Sequence, residues 1–329
     1  MKKLNVLIVP DKLPAWLLQQ ANKYFNVIRL ADVENNPSWF ENNAKEIDAI
    51  LTNGITGADA LLINRLPNLK IIASNGVGYD AIDLDAALRR QIIVTTTPEI
   101  LTDCVADHAM GLMLDISRRL SEADRYLRDG KWLSQGKFPP GKKIGGKVCA
   151  IVGLGNIGLA VARRAEAFNM HVHYFSRTVR KEVPYTFHTT LQSLAQAADY
   201  LVLTLPGGDA TRHLINRQVL DALGPEGYLI NVSRGSTIDE SALITALEAN
   251  TIAGAALDVF EQEPHVPDAL LRAENVVLTP HIASSTEETA KAMADRVIEN
   301  LLAFSRGLPV ISPILEAKHP LTSLSASQR

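Results

Sequence analysis

Short apolar, β-branched runs alternate with helical patterns over nearly the whole chain. Val6–Val9, Asn26–Leu30, Ala49–Thr52, Ile71–Ser74 and Ile92–Thr95 predict five strands, with helical segments such as Ala15–Tyr24 and Asp59–Arg65 between them. Strands spaced by helices form a parallel sheet covered on both faces. Pro98 closes this unit. A helical pattern then runs from about Ile100 to Arg128, apolar through Leu114 and charged after Arg118, so it starts buried and emerges into solvent. The Gly-, Pro- and Lys-rich stretch Gly130–Gly146 reads as an exposed connection. Six further strands follow: Val148–Val152, Val172–Phe175, Tyr200–Leu205, Tyr228–Val232, Ile252–Leu257 and Val276–Thr279.

The last apolar periodicity, Ser285–Phe304 with Ala292, Val297, Leu301 and Leu302, comes after the second sheet is complete. It is expected to cross back onto the first unit. The predicted organisation is therefore a discontinuous domain, 1–98 plus 290–329, and an inserted domain, 99–289. Both are α/β with doubly wound parallel sheets. The tail after Pro313 has no periodicity and is expected to fray.

Composition narrows the class. The chain has 329 residues, 36 acidic and 33 basic, and is 47% hydrophobic, enough for two packed cores and without the footprint of a nucleic-acid or membrane-surface binder. Cys104 and Cys149 each sit in an apolar stretch and read as buried thiols in a reducing compartment. MKKLNVLIVP is too short an apolar run for a leader, being broken by Asp11 and Lys12, and no run of about 18 apolar residues exists. A cytoplasmic protein is expected.

IVGLGNIG, Ile151–Gly158, joins an apolar strand to a helical pattern with Ile157, Val161, Ala165 and Phe168 on one face. That context turns a weak glycine motif into a dinucleotide loop. Gly153 permits the tight turn, Gly155 a close backbone approach to a pyrophosphate, and Gly158 close helix–strand packing. The helix N-terminus offers free N–H groups to phosphate. A carboxylate at the end of the next strand would select NAD. Here Ser176, Arg177 and Thr178 stand instead, near Arg180 and Lys181. A hydroxyl and a guanidinium suit a 2′-phosphate, so NADPH is the expected coenzyme, with NADH weaker.

Three further strands run into Ser233-Arg234-Gly235, Asp258-Val259-Phe260 with Glu263, and Pro280-His281. Singly, each has an ordinary reading: a solvated arginine, a turn-capping aspartate, a structural histidine. Together they lie at the strand ends where open α/β sheets bind ligands. They would supply an anion clamp, an orienting carboxylate and a proton carrier. No metal is expected.

The segments INVSRGSTIDESALITALEANTIAGAALDVFEQEP and LTPHIASST resemble the D-isomer-specific 2-hydroxyacid dehydrogenase family, and the resemblance extends over residues 45 to 312. LTDCVADHAMGLML and YFSRT are most similar to its NADPH-dependent glyoxylate/hydroxypyruvate and hydroxyphenylpyruvate reductases. The resemblance implies a Rossmann coenzyme domain and a flavodoxin-like substrate domain, with the active site in the cleft between them. It assigns substrate binding to Arg234, proton transfer to His281 and the paired carboxylate to Glu263. It also assigns the substrate-carboxylate loop to Asn75, Gly76, Val77 and Gly78, and the nicotinamide carboxamide to Asp258. Coenzyme contacts extend to Asn156, Ile157, Pro206, Thr211, Val232, Ser233, His281 and Ala283. Ala283, where glycine is frequent, and Asp107, where glutamate is common, depart from the pattern without touching residues assigned to the chemistry.

The implied reaction is reduction of a small 2-oxo acid of glyoxylate or hydroxypyruvate type to the D-2-hydroxy acid, by a homodimer whose arm is the 100–145 segment. Trp132 and Phe138 would pack there or wall a partner's pocket. Hydroxyphenylpyruvate and 2-ketogluconate are alternative substrates, and a nucleotide-sensing corepressor-like protein is the rival class. The complete Arg–Glu–His set argues against that rival.

Overall fold

The computed structural model describes residues 3–314. Their contacts divide the chain into two units, one made of the residues up to Leu101 with those from Thr286 onward, the other of Thr102–Ser285.

The first unit holds β1 (Asn5–Ile8), β2 (Asn26–Arg29), β3 (Ala49–Asn53), β4 (Ile71–Asn75) and β5 (Ile93–Thr95), all parallel in the order β2-β1-β3-β4-β5. This is the flavodoxin-like order. Side chains alternate across the pleat. Leu7, Ile50, Ile72 and Val94 pack with Phe40, Ile63 and Leu66, while Val6, Leu51 and Ala73 pack with Leu17 and Ala21. Ala294, Val297, Ile298 and Leu301 of the helix Glu287–Ser305 join that second cluster. Buried Asn300 then accepts hydrogen bonds from the amides of Ile311 (2.8 Å) and Ser312 (3.1 Å), and Pro313 bridges to Thr95 at the edge of β5. The remaining tail lies outside the described residues.

The second unit contains β6 (Val148–Val152), β7 (His171–Phe175), β8 (Thr186–Phe187), β9 (Tyr200–Leu203), β10 (Tyr228–Asn231), β11 (Gly254–Leu257) and β12 (Val276–Leu278). They form a parallel sheet in the order β12-β11-β10-β9-β6-β7-β8. Read from β8, this is the Rossmann order with one strand added at the far edge. The order reverses between β6 and β9, the point at which such sheets bind dinucleotides.

Local structure differs from the sequence reading in several places. The second sheet has seven strands rather than six, because the two-residue β8 is too short to show a period. The helix expected over 100–128 is two, Thr102–Arg118 and Leu120–Arg128, broken at Arg119, whose φ of 56° is left-handed. The expected connection contains a short helix, Lys131–Gln135. Cys149 is fully buried, and burial pushes its thiol up to about 12. Cys104 is only half-buried. Among the described residues no helix is long and apolar enough to cross a membrane.

Candidate active site

The glycine loop follows β6 and opens the helix Asn156–Ala167. Gly153 has φ +96°, a conformation that disfavours any side chain. A Cβ on Gly158 would lie 2.3 Å from the Gly153 carbonyl oxygen and 2.9 Å from Thr204 Oγ1, so only glycine lets helix and strand meet. Gly155 differs: its φ is −81° and a Cβ there would meet nothing within 4 Å. Gly155 is the N-cap and no side chain caps the helix, so the amides of Asn156 and Ile157 keep their donors. Open space against free amides at a helix N-terminus fits a pyrophosphate.

At the end of β7 the Ser176 hydroxyl donates to the Thr178 carbonyl at 2.6 Å, so its proton is engaged within the loop. Arg177 and Thr178 are exposed, and Arg177 makes no ion pair among the described residues. Arg180, expected to add positive charge, is tied inward. It donates to the Leu154 carbonyl at 2.7 Å and pairs with Glu182 at 2.7 Å, an ion pair that holds the Glu182 carboxyl below its ordinary range. After β9, Thr211 Oγ1 donates to the Pro206 carbonyl at 2.8 Å, closing that loop on itself.

The proton-transfer candidates come together. His281 Nδ1 lies 2.7 Å from Glu263 Oε2, and Glu263 Oε1 accepts from the Phe260 amide at 3.1 Å. With the carboxylate accepting, Nδ1 carries the proton of that bond, and Nε2 is the ring nitrogen not engaged by Glu263. His281 has φ +53°, a left-handed conformation costing a non-glycine residue roughly 1–2 kcal/mol. Such a residue persists only where its surroundings over-determine it.

Asp258 supplies those surroundings. It is fully buried, and its backbone carbonyl accepts the His281 amide at 2.8 Å. Its Oδ1 accepts Thr279 Oγ1 (2.6 Å) and the Ile282 amide (2.8 Å), and its Oδ2 accepts the Ala283 amide (2.8 Å). Burial pushes its carboxyl up. Hydrogen bonds from His108, Thr279 and the two amides outweigh burial and hold it below the usual carboxylate range. The structure thus gives Asp258 the turn-capping use that the sequence also allowed. Ala283, one of the two departures from the family pattern, donates its amide to Asp258, which lies outside the Arg234–Glu263–His281 set assigned to the chemistry. Asp107, the other departure, is exposed and pairs with Arg164 on the neighbouring helix at 2.6 Å.

Arg234 follows β10, where Val232 and Ser233 are buried and the Ser233 hydroxyl donates to Asn231 Oδ1 at 2.8 Å. Gly235 explains the next step of the chain. A Cβ there would fall 1.9 Å from the Phe260 carbonyl carbon, so glycine brings the Arg234 loop against the segment that leads to Glu263. In the first unit, Gly76 adopts φ +135° after β4, its amide donates to Thr97 Oγ1 at 3.1 Å, and Ser74 Oγ donates to the Gly78 carbonyl at 3.3 Å. Among the described residues the amides of Val77 and Gly78 have no acceptor, which suits an anion. Asn75 Oδ1 is buried without a hydrogen-bond partner among the described residues. Sequence reasoning missed His108 and Thr279. Nothing in the local pattern links a histidine on a helix to a turn some 170 residues later.

The chain matches the profile of the D-isomer specific 2-hydroxyacid dehydrogenase NAD-binding domain over residues 110–283. It belongs to this family. It is 46% identical to glyoxylate/hydroxypyruvate reductase A of Arabidopsis thaliana over 96% of this chain and all of that one. It is 44% identical to the hydroxyphenylpyruvate reductase of Plectranthus scutellarioides, with the same coverages. Among solved structures, the NADPH-dependent glyoxylate/hydroxypyruvate reductase of Sinorhizobium meliloti, in complex with NADP and malonate, superposes with a TM-score of 0.90. That protein is 42% identical, covering 96% of this chain and 98% of that one. The fold expected from sequence, two parallel-sheet α/β domains of this dehydrogenase family, is the fold found.

Proposed function

We propose that this family member reduces small 2-oxo acids of the glyoxylate and hydroxypyruvate type to D-2-hydroxy acids with NADPH. The observation that carries the reading is the His281–Glu263 pair at 2.7 Å, held on a left-handed turn at the end of a Rossmann strand. The bound reduced nicotinamide supplies the hydride. His281 gives the proton from Nε2 to the substrate carbonyl oxygen, and Glu263 balances the charge that the imidazole carries before the transfer. Arg234 binds the substrate carboxylate and carbonyl with its planar fork, an interaction that strengthens as negative charge develops. The amides of Val77 and Gly78 take the carboxylate.

Gly153, Gly155 and Gly158 shape the pyrophosphate cradle, and the amides of Asn156 and Ile157 donate into it. Arg177, exposed and with no ion pair among the described residues, would hold the 2′-phosphate together with Thr178. Ser176 contributes once its hydroxyl leaves the Thr178 carbonyl. Pro206, Thr211, Val232, Ser233 and Ala283 border the coenzyme. The first unit serves as substrate domain and the second as coenzyme domain.

A homodimer is supported by the helices Leu120–Arg128 and Lys131–Gln135, which contain no buried residue and expose Leu120, Leu127, Trp132 and Leu133. Two cysteines, neither of them in a disulfide, support a reducing, cytoplasmic setting. The test is a panel of initial rates with glyoxylate, hydroxypyruvate, 2-ketogluconate and hydroxyphenylpyruvate against both coenzymes. NADPH oxidation with the first two, giving D-glycerate from hydroxypyruvate, is expected. No turnover with any of the four would overturn the reading.

A further inference from the structure

The turn that presents His281 has an outer support that the family assignment does not name. His108, on the helix Thr102–Arg118, directs its imidazole inward, with the side chain 21% exposed. Its Nε2 lies 3.0 Å from Thr279 Oγ1 and 3.4 Å from Asp258 Oδ1.

Counting protons decides the direction of these bonds. Thr279 has one hydroxyl proton, and it is given to Asp258 Oδ1 at 2.6 Å. Asp258 accepts two backbone amides as well and is ionised, so it has no proton to give. The contact between Thr279 Oγ1 and His108 Nε2 therefore has one possible donor, the Nε2–H of the histidine. That same N–H points into the field of the buried carboxylate.

We infer that His108 is a positioning residue for His281. Its Nε2–H holds Thr279 in the orientation that donates to Asp258, and Asp258 in turn fixes the amides of Ile282 and Ala283 and, through its own carbonyl, the amide of His281. The required property is an N–H donor at the end of the side chain, present in the neutral Nε2–H tautomer and in the imidazolium alike. Removing the donor leaves Thr279 free to rotate and the buried carboxylate short of one partner. The turn then relaxes, and the imidazole of His281 loses its direction while the coenzyme loop, on other strands, is untouched. Misplacing a reacting group on the order of 1 Å costs up to about 100-fold in rate.

The inference rests on the proposed reaction, and its test separates the two. His108→Leu should lower kcat about tenfold or more and change the Kd for NADPH much less than kcat, because the phosphate-binding glycine loop stands apart from this turn. His108→Gln, which keeps an N–H of similar reach, should retain kcat within about threefold. Full kcat in the leucine variant would overturn the inference, as would equal losses in the two variants when both are folded. Independently of activity, ¹⁵N-histidine NMR of the wild type should show neutral His108 as the Nε2–H tautomer, and the His281 resonances should move in His108→Leu but not in His108→Gln. A neutral Nδ1–H tautomer at His108 would overturn it too. If no 2-oxo acid is turned over, the reaction falls and the NMR result alone decides the positioning role.

Discussion

The two ends of the second unit's ligand edge are built on opposite plans. Around His281 the protein satisfies itself: the oxygens of Asp258 and Glu263 are met by named protein donors, and a left-handed histidine is pinned from three directions. At the nucleotide end the protein leaves groups open. Gly155 faces free space, the helix behind it has no side-chain cap, and Arg177 is exposed with no ion pair among the described residues. A proton carrier must keep its direction whether or not substrate is present, so its geometry is bought from within the fold. A phosphate site must offer unspent donors, since every donor already satisfied has to be freed before an anion gains from it.

The sharpest break is at the proposed proton carrier, His281. His281→Ala should lower kcat by about 100- to 10,000-fold, the range of general acid catalysis, with the Kd for NADPH nearly unchanged. A loss below about threefold would remove His281 from the chemistry and, with it, the reason for its pinned turn.

Two glycine substitutions sharpen the contrast between open and filled space. Gly155→Ala should leave the melting temperature close to wild type, because the added methyl meets nothing, yet weaken NADPH about tenfold or more by standing where the phosphate approaches. Gly158→Ala should do the reverse at the level of the fold, destabilising it by about 1–3 kcal/mol through overpacking against Gly153 and Thr204. Thermal melts and coenzyme titrations of both variants are the check, and equal stability losses would erase the distinction.

The 2′-phosphate reading predicts that Ser176→Asp combined with Arg177→Leu weakens NADPH about tenfold to a hundredfold, the worth of a charge-assisted hydrogen bond, and leaves NADH equal or improved. KM for both coenzymes decides it. A wild type that already favours NADH would sink the assignment.

The smallest expected effect lies at the back of the nucleotide end. His173 Nδ1 sits 3.0 Å from His188 Nε2, and burial first, then the charges of His188 and His171, hold His173 below its ordinary value of 6.5. Its folded form stays neutral while the unfolded chain takes up a proton. Its contribution is therefore present above pH 6.5 and is lost as pH falls below that value toward the folded pKa. His173→Gln should flatten the loss of stability between about pH 7 and pH 5, read from urea midpoints. An unchanged slope would show that the pair does not titrate with folding.

Much of this protein was legible along the chain because it depends on local rules. Alternation and β-branched runs marked eleven of the strands, since a buried parallel strand must be apolar at nearly every position. The glycine loop was readable because Gly153 and Gly158 answer steric needs of the strand–helix turn and Gly155 leaves open space beside the helix N-terminus. Arg234, Glu263 and His281 were singled out because strand ends are where parallel sheets place ligands, and the structure brings His281 and Glu263 together. What the sequence could not determine depends on contacts between distant segments. The two-residue β8 exists only because β7 offers it an edge. The helix break at Arg119 has no glycine or proline to announce it. The roles of Asp258, Thr279 and His108 turn on proton directions that exist only once helix and turn are packed together. A sequence carries the donors and acceptors; which of them meet, and so which remain free to bind or to react, is decided by the tertiary structure.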